Sequence, residues 1–277
     1  MDFSSALPEG IVSDILSLTS PRDACRSSAI SKGFKSVADS DAVWDRFLPS
    51  DHAAILSRSV SPVPSSTKKQ LYSRLADCPI LLDGGKLSFA LDKASAKKCF
   101  VLGARELAII QGSSPENWEW VSLPQSRFSE VAHLLQVCWF CIEGKIEAQL
   151  LSPKTTYVVY LVFQMRRSNN GFDYLPLDSF VSFAGERGDR DEDAIIHETK
   201  MNIVYLKRGL SSPQIGASTR RLPQKRLDKW MEVELGEFFI GKGDSGKVVM
   251  GLMAVERGRR TSGIIIEGIE VRPKSNS

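Results

Sequence analysis

LPEGIVSDILSLTSPRDACRSSAISKGFKSVADSDAVWDRFL (residues 7–48) reads as a small helical module that carries no catalytic pattern. Pro8 suits the first turn of a helix, where its missing N–H costs nothing. Leu7, Ile11, Ile15 and Leu18 then fall close to one helical face, with Val12 and Leu16 beside them. Ser20 can cap a second helix, Pro21 takes its first position, and Asp23 completes an approximate capping box. Ala24, Cys25, Ser28 and Ala29 keep that helix thin, so neighbours can approach closely. Gly33 breaks the run, Phe34 and Val37 start another apolar stripe, and Val43, Trp44 and Phe47 close a three-helix unit. A unit this short buries little surface. Its leftover apolar residues favour a partner.

Working outward, His52 to Leu56 can extend the helices, and residues 57–66 are rich in Ser and Pro, as a linker is. KKQLYSRLAD (68–77) predicts a short helix, and residues 78–85 an extended apolar step into a Gly84-Gly85 turn. Residues 51–95 therefore read as a connecting arm, partly ordered, between a helical domain at 1–50 and a second domain at 96–277.

Beyond residue 96 the periodicity becomes strand-like. LLQVCWFCIEGKIEAQLLS, TTYVVYLVFQMR, KMNIVYLKRG, WMEVELGEFFIG, KVVMGLMAVERG and SGIIIEGIEVRP are β-branched and aromatic, with Gly, Pro, Asn or Asp between them. Such a series predicts antiparallel strands in a sandwich or barrel, not a parallel α/β sheet. FSEVAHLL (128–135) is the exception and predicts one or two helical turns. Gly241–Gly246 reads as a hairpin turn, Glu186–Asp193 as an acidic loop and Arg220–Lys229 as a basic one.

The 277 residues allow one large or two ordinary domains, and 25% charged with 42% hydrophobic residues is a globular composition. A formal charge of +3 gives no argument for nucleic acid. No apolar run approaches the roughly 20 residues that span a bilayer, so no membrane is expected. MDFSSALPEG has no basic n-region, which points to the cytoplasm or nucleus and to five reduced cysteines. His52, His133 and His197 are widely spaced and lie in no nucleophile or metal motif. Cys138 and Cys141, three apart in a strand, point to opposite faces and read as buried structural thiols. No metal, cofactor or enzyme chemistry is expected.

Trp118 and Trp120, spaced by two, face the same way in a strand. They are the candidates for carbohydrate or target binding, since a sugar site needs an aromatic face with polar support. A strand tryptophan in a sandwich also serves as core. Trp139 and Trp230 read as core, and Glu232, Glu234 and Glu237 as a solvated face.

The ordered motif of Leu7-Pro8, Ile11, Ile15-Leu16, Ser20-Pro21, Cys25 and Val43-Trp44 resembles the F-box of plant ubiquitin-ligase receptors. That resemblance implies docking on a Skp1-type adaptor, and through it a cullin, by Leu7, Pro8, Ile11, Ile15, Leu16, Pro21, Cys25, Val43 and Trp44. A second resemblance rests on Trp118-Glu119-Trp120, Cys138-Trp139, Glu143-Gly144-Lys145-Ile146-Glu147, Leu151-Ser152-Pro153, Tyr160-Leu161-Val162-Phe163, residues 230–239 and residues 269–274. These blocks are similar to the phloem-protein-2, or Nictaba-type, lectin domain. The whole chain thus resembles the F-box-carrying class of phloem-protein-2-like proteins. The implied architecture is α + β and multidomain: a three-helix F-box, then an antiparallel, jelly-roll-like β-sandwich. The implied role is a substrate receptor that brings a protein or glycoprotein target to the ligase. The alternative is a lectin with a secondary or inactive F-box.

The departures bear on the sugar site. Sugar-binding relatives commonly have Trp where this chain has Gln111, and read Gly-Glu-Val-Glu-Met and then Leu-Met-Glu. This chain reads Gly246-Lys247-Val248-Val249-Met250, then Leu252-Met253-Ala254. An indole and three carboxylates are replaced, each contact worth about 1 kcal/mol. The resemblance implies the fold, and the departures argue against strong sugar affinity.

Overall fold

The computed structural model describes residues 8–173, 175–184, 201–207, 221–255 and 258–275, in two compact units, Met1–Cys99 and Phe100–Ser277. Leu7, the acidic loop at 186–193, His197 and Arg220 lie outside the described residues.

The first unit begins with α1 (Glu9–Ser17), α2 (Pro21–Ser27), α3 (Lys32–Ala38) and α4 (Asp41–Phe47). The segment holds four helices where three were expected. Ser40, in extended backbone at φ −70°, ψ 143°, separates α3 from α4. The break also satisfies a helix end. Trp44 Nε1 donates to the Ala38 carbonyl at 2.6 Å, taking up one of the carbonyls that α3 leaves unpaired. The predicted cap at Ser20 is present, accepting from Asp23 N at 3.1 Å, and Ser31 does the same for Phe34 N at 3.2 Å.

Residues of the arm complete this unit. α5 (His52–Ser57) and α6 (Lys68–Asp77) follow, then the antiparallel pair β1 (Ile80–Leu82) and β2 (Leu87–Leu91) around Gly84 and Gly85, both at positive φ. Trp44, 1% exposed, packs on Phe47 at 5.5 Å and on Tyr72 of α6 at 5.1 Å, with the Lys69 ammonium 5.4 Å from its ring. Asp41 accepts from Lys68 N at 2.8 Å, Lys98 pairs with Asp51 at 2.7 Å, and Arg58 grips Asp83 with two nitrogens. Within the Ser/Pro stretch, Val60 N donates to Leu81 O at 2.9 Å. The arm is thus structural wall for the helices.

The second unit is a sandwich of two antiparallel sheets. One sheet runs β3 (Lys98–Gly103), β14 (Ser262–Pro273), β8 (Thr155–Asn170), β12 (Met231–Ile240) and β11 (Gln224–Lys225). β6 (Val131–Leu134) also pairs with β14, and β5 (Trp118–Val121) with β6. The other runs β10 (Asn202–Val204), β9 (Leu177–Ala184), β13 (Lys247–Ala254), β7 (Cys141–Glu147) and β4 (Ala108–Ile109). The orders β3-β14-β8-β12 and β7-β13-β9-β10 are those of a jelly roll, as the resemblance implied.

Glycines let the sheets approach. A Cβ on Gly236 of β12 would lie 2.6 Å from Val181 of β9, and one on Gly144 of β7 would lie 3.3 Å from Ile269 of β14. The bulge between Glu234 and Gly236 frees the Leu235 carbonyl from the ladder. Ser179 Oγ of β9 donates to it at 2.7 Å, so a buried acceptor is satisfied across the sandwich.

Two sequence expectations are corrected. FSEVAHLL does not turn helical: Val131–Leu134 is a strand buried throughout, because pairing with β5 and β14 overrides its helical spacing. Gly241–Gly246 is not a hairpin turn, since it leads from β12 in one sheet to β13 in the other. There Asp244 accepts from Gly241 N at 2.7 Å, and Gly243 takes φ 84°.

Trp44→Ala is expected to destabilise the helical unit by about 3–5 kcal/mol, through a cavity and a lost carbonyl partner. Urea titration of the full chain followed at 222 nm checks it.

Candidate functional site

Two groups of residues were singled out by sequence, one on the helices and one in the sandwich. On α1 the apolar residues divide into two stripes. Val12 and Leu16 are buried, whereas Ile11 (47% exposed), Ile15 (50%) and Leu18 (80%), at i, i+4 and i+7, share an exposed stripe. Ile30, past the end of α2, is 64% exposed, and Pro8 and Cys25 are exposed as well.

The candidate docking set is therefore split. Pro8, Ile11, Ile15 and Cys25 can meet a partner. Leu16 (3%), Pro21, Val43 (0%) and Trp44 (1%) are buried and hold the helices together. Periodicity could not separate the two roles, because both stripes are apolar. Leu18 and Ile30 belong with the exposed group. Leu18 was legible as the i+7 continuation of Ile11, while Ile30 follows α2 with no periodic signal.

In the sandwich, the two candidate tryptophans differ in what they leave exposed. Trp118 is 2% exposed, packs on Phe140 at 6.4 Å and donates its Nε1 proton to Ile110 O at 3.0 Å. It is core. Trp120 is half-buried, with the Arg105 guanidinium 3.6 Å from its ring centroid. Arg105 is itself held by Glu130 at 2.8 Å, so the ring's cover is anchored. Gln111 is exposed at φ 54°, Lys247 pairs loosely with Glu147 at 3.8 Å, and Ala254 is buried. Trp118 thus offers no stacking face, and one face of Trp120 is taken by Arg105.

Other sequence readings change here too. Cys138 is exposed, not a buried thiol, and Cys141 is half-buried, its thiol pushed up to about 11 by burial. Trp230 is core as expected, 1% exposed, and Trp139 is half-buried, donating to Ala254 O at 3.3 Å. Among the described residues no three or more His, Cys, Asp or Glu side chains converge as metal ligands would.

The acidic stripe on β12 is solvated at Glu237 and half-buried at Glu232 and Glu234. Arg272 of β14 grips Glu232 with both terminal nitrogens at 2.7 and 2.9 Å. Arg226 bridges Glu232 at 2.7 Å and Glu270 at 2.5 Å, and the Arg272 guanidinium lies 3.8 Å from the Tyr160 ring centroid. Glu234 pairs with Arg221 at 3.1 Å and Glu237 with Lys274 at 2.7 Å. Burial alone would push the Glu232 carboxyl up, but Arg272 and Arg226 together hold it below the usual carboxylate range. Its contribution to stability is present above the unfolded pKa and is lost as pH falls through the lower, folded one.

Arg272→Ala is accordingly expected to cost about 2 kcal/mol at pH 7, where Glu232 is charged. The difference from wild type should shrink as acid protonates Glu232. Urea midpoints of the two proteins, compared between pH 7 and the acid side of the carboxylate range, check it.

Comparison with known proteins identifies the family. The phloem protein 2 family pattern matches residues 97–273, and an F-box-like pattern matches residues 4–50. Putative F-box protein PP2-B12 of Arabidopsis thaliana is 42% identical, over 97% of this chain and 97% of the relative. F-box protein PP2-B1 of the same plant is 38% identical, over 98% of this chain and 90% of the relative. Among solved structures, a CBM6 module of a laminarinase from Zobellia galactanivorans aligns with 62% of this chain and 98% of its own. The TM-score is 0.30 at 12% identity, a likeness too slight to argue from. With the family pattern covering the whole sandwich and full-length relatives that carry both parts, this chain belongs to the phloem protein 2 family, as an F-box protein with a lectin-like domain.

Proposed function

We propose that this protein is the substrate-receptor subunit of a Skp1–cullin–F-box ubiquitin ligase, working in the cytoplasm or nucleus. The observation that carries the reading is the exposed Ile11–Ile15–Leu18 stripe on α1, inside the F-box-like segment. Three large aliphatic side chains on one helical face gain by leaving water, and only a partner that covers them provides that gain. A Skp1-type adaptor is that partner, and the cullin joins through it. The sandwich binds a protein or glycoprotein target and holds it near the transferring subunits. The chain itself does no chemistry and needs no cofactor. It raises the effective concentration of target at a catalytic centre located elsewhere.

Ile15→Asp puts a carboxylate into the centre of this stripe without touching the buried one. Binding of the full chain to purified Skp1 is expected to weaken by about 2 kcal/mol or more, with an unchanged far-UV spectrum. Calorimetric titration decides it, and wild-type affinity in this variant would sink the proposal.

The alternative, a lectin with an inactive F-box, is disfavoured by the buried Trp118 and the covered Trp120. N-acetylglucosamine oligomers are expected to bind at millimolar affinity or not at all. Micromolar binding in a calorimetric titration, lost in Trp120→Ala, would restore the lectin reading.

A further inference from the structure

On the sheet face that carries Glu232, a cavity of about 620 Å³ is lined by Gln125, Gln164, Met165, Lys225, Arg226, Lys229, Trp230 and Met231. Its size is that of a pocket for a few side chains or a small ligand. Its lining is one-signed, with three cationic residues and no carboxylate.

Around it, five cations are matched. Arg127 has Glu267 and Asp228, Arg221 has Glu234, Arg226 has Glu232 and Glu270, Arg272 has both of those, and Lys274 has Glu237. Lys225 and Lys229 are exposed and have no ion pair among the described residues. Two exposed lysines without an ion pair among the described residues thus stand together at one cavity.

The rim is also held in place. Gln125 Nε2 reaches Gln164 Oε1 at 3.4 Å, and Gln164 Nε2 reaches the Lys229 carbonyl at 3.4 Å. Asp228 accepts from Trp230 N at 3.1 Å, and Trp230 Nε1 donates to Gln125 O at 3.2 Å. Lys229 itself sits at φ 72°, a left-handed conformation that these bonds maintain. Little ordering remains to be done when a ligand arrives.

We infer that this cavity is an anion-recognition pocket taking the acidic side chains of an extended segment of a partner protein. The inference rests on the receptor reading and names where the target is held. Lys225 and Lys229 supply point charges for an oxyanion, Gln125 and Gln164 supply amide groups for the peptide, and Met165 and Met231 give an adaptable apolar floor. Carboxylate and phosphate oxyanions both suit two lysines.

The test uses the full chain and three fluorescein-labelled decapeptides of one design, bearing glutamates, phosphoserines or glutamines at the same positions. Fluorescence polarisation at 50 and 300 mM salt is expected to show binding of a charged peptide that falls with salt. Lys225→Glu/Lys229→Glu should weaken it at least tenfold. Lys154→Glu/Lys242→Glu, the same charge change at exposed positions elsewhere, should weaken it less than threefold. The tighter of the glutamate and phosphoserine peptides identifies the source of the anion. Equal loss in both double variants, glutamine-peptide binding as tight as the charged ones, or no binding at all would overturn the proposal. Thermal midpoints and Skp1 affinity are expected to match wild type in both double variants. Failure of the pocket therefore leaves the receptor reading to be judged by Ile15→Asp alone.

Discussion

The long antiparallel ladder between β8 and β14 is the constraint on which the sandwich rests. It runs from Ser262 opposite Asn170 to Pro273 opposite Tyr157, and β14 is flanked on its other edge by β3 and β6. Gly268 makes the fit possible, because a Cβ there would lie 2.0 Å from the Leu102 carbonyl oxygen. The register shift beside it leaves Glu267 buried, where desolvation pushes its carboxyl up against the pull of Arg127. Glu267 accepts from Arg127 N at 3.1 Å and from Ser126 Oγ at 3.2 Å, tying the segment after β5 to the central strand. The same segment supplies the Gln125 carbonyl that Trp230 needs. Trp230 then joins Val131, Val162 and Ile265 in a small buried cluster, with Val121 and Leu123 packed on it. One ladder sets a loop, the loop sets an indole, and the indole sets the cavity floor.

Much of this was legible in the sequence where one local rule acted alone. The helix at 68–77, the caps at Ser20 and the strands of 141–147 and 247–254 follow from spacing and composition, and the structure places them there. The break between α3 and α4 was not legible. Asp39 and Ser40 look like two more polar residues on one helix, and only the packing of Trp44 onto Ala38 divides it. FSEVAHLL satisfies helical and strand spacing equally, so its partners decided. Ion pairing hid in the same way. Glu232 and Glu234 alternate with apolar residues as solvated positions do, and their arginines come from residues 221, 226 and 272.

The candidate sites show a second limit. Sequence ranks residues by type, while a binding role depends on which face of the element is left over. Ile15 and Leu16 are neighbours of equal hydrophobicity, yet one is half exposed and the other buried. Trp118 and Trp120 share a strand face, yet one is sealed by Phe140 and the other is covered by Arg105. Trp118, which the sequence advertised as a site, is core, and the unpaired lysines beside Trp230 carried no motif that would mark them.

The paired charges on the outer sheet face have a consequence for how such chains can drift. Arg226, Arg272, Glu232 and Glu270 form a neutral set, which Arg226 extends to Asp228. A single replacement strands a half-buried charge, so these four positions are free to vary only in concert. Lys225 and Lys229 answer to no internal partner among the described residues and can be exchanged one at a time. Under the receptor reading proposed above, a duplicated copy of this protein would acquire a different client by ordinary point substitution at the rim, while its scaffold stays locked.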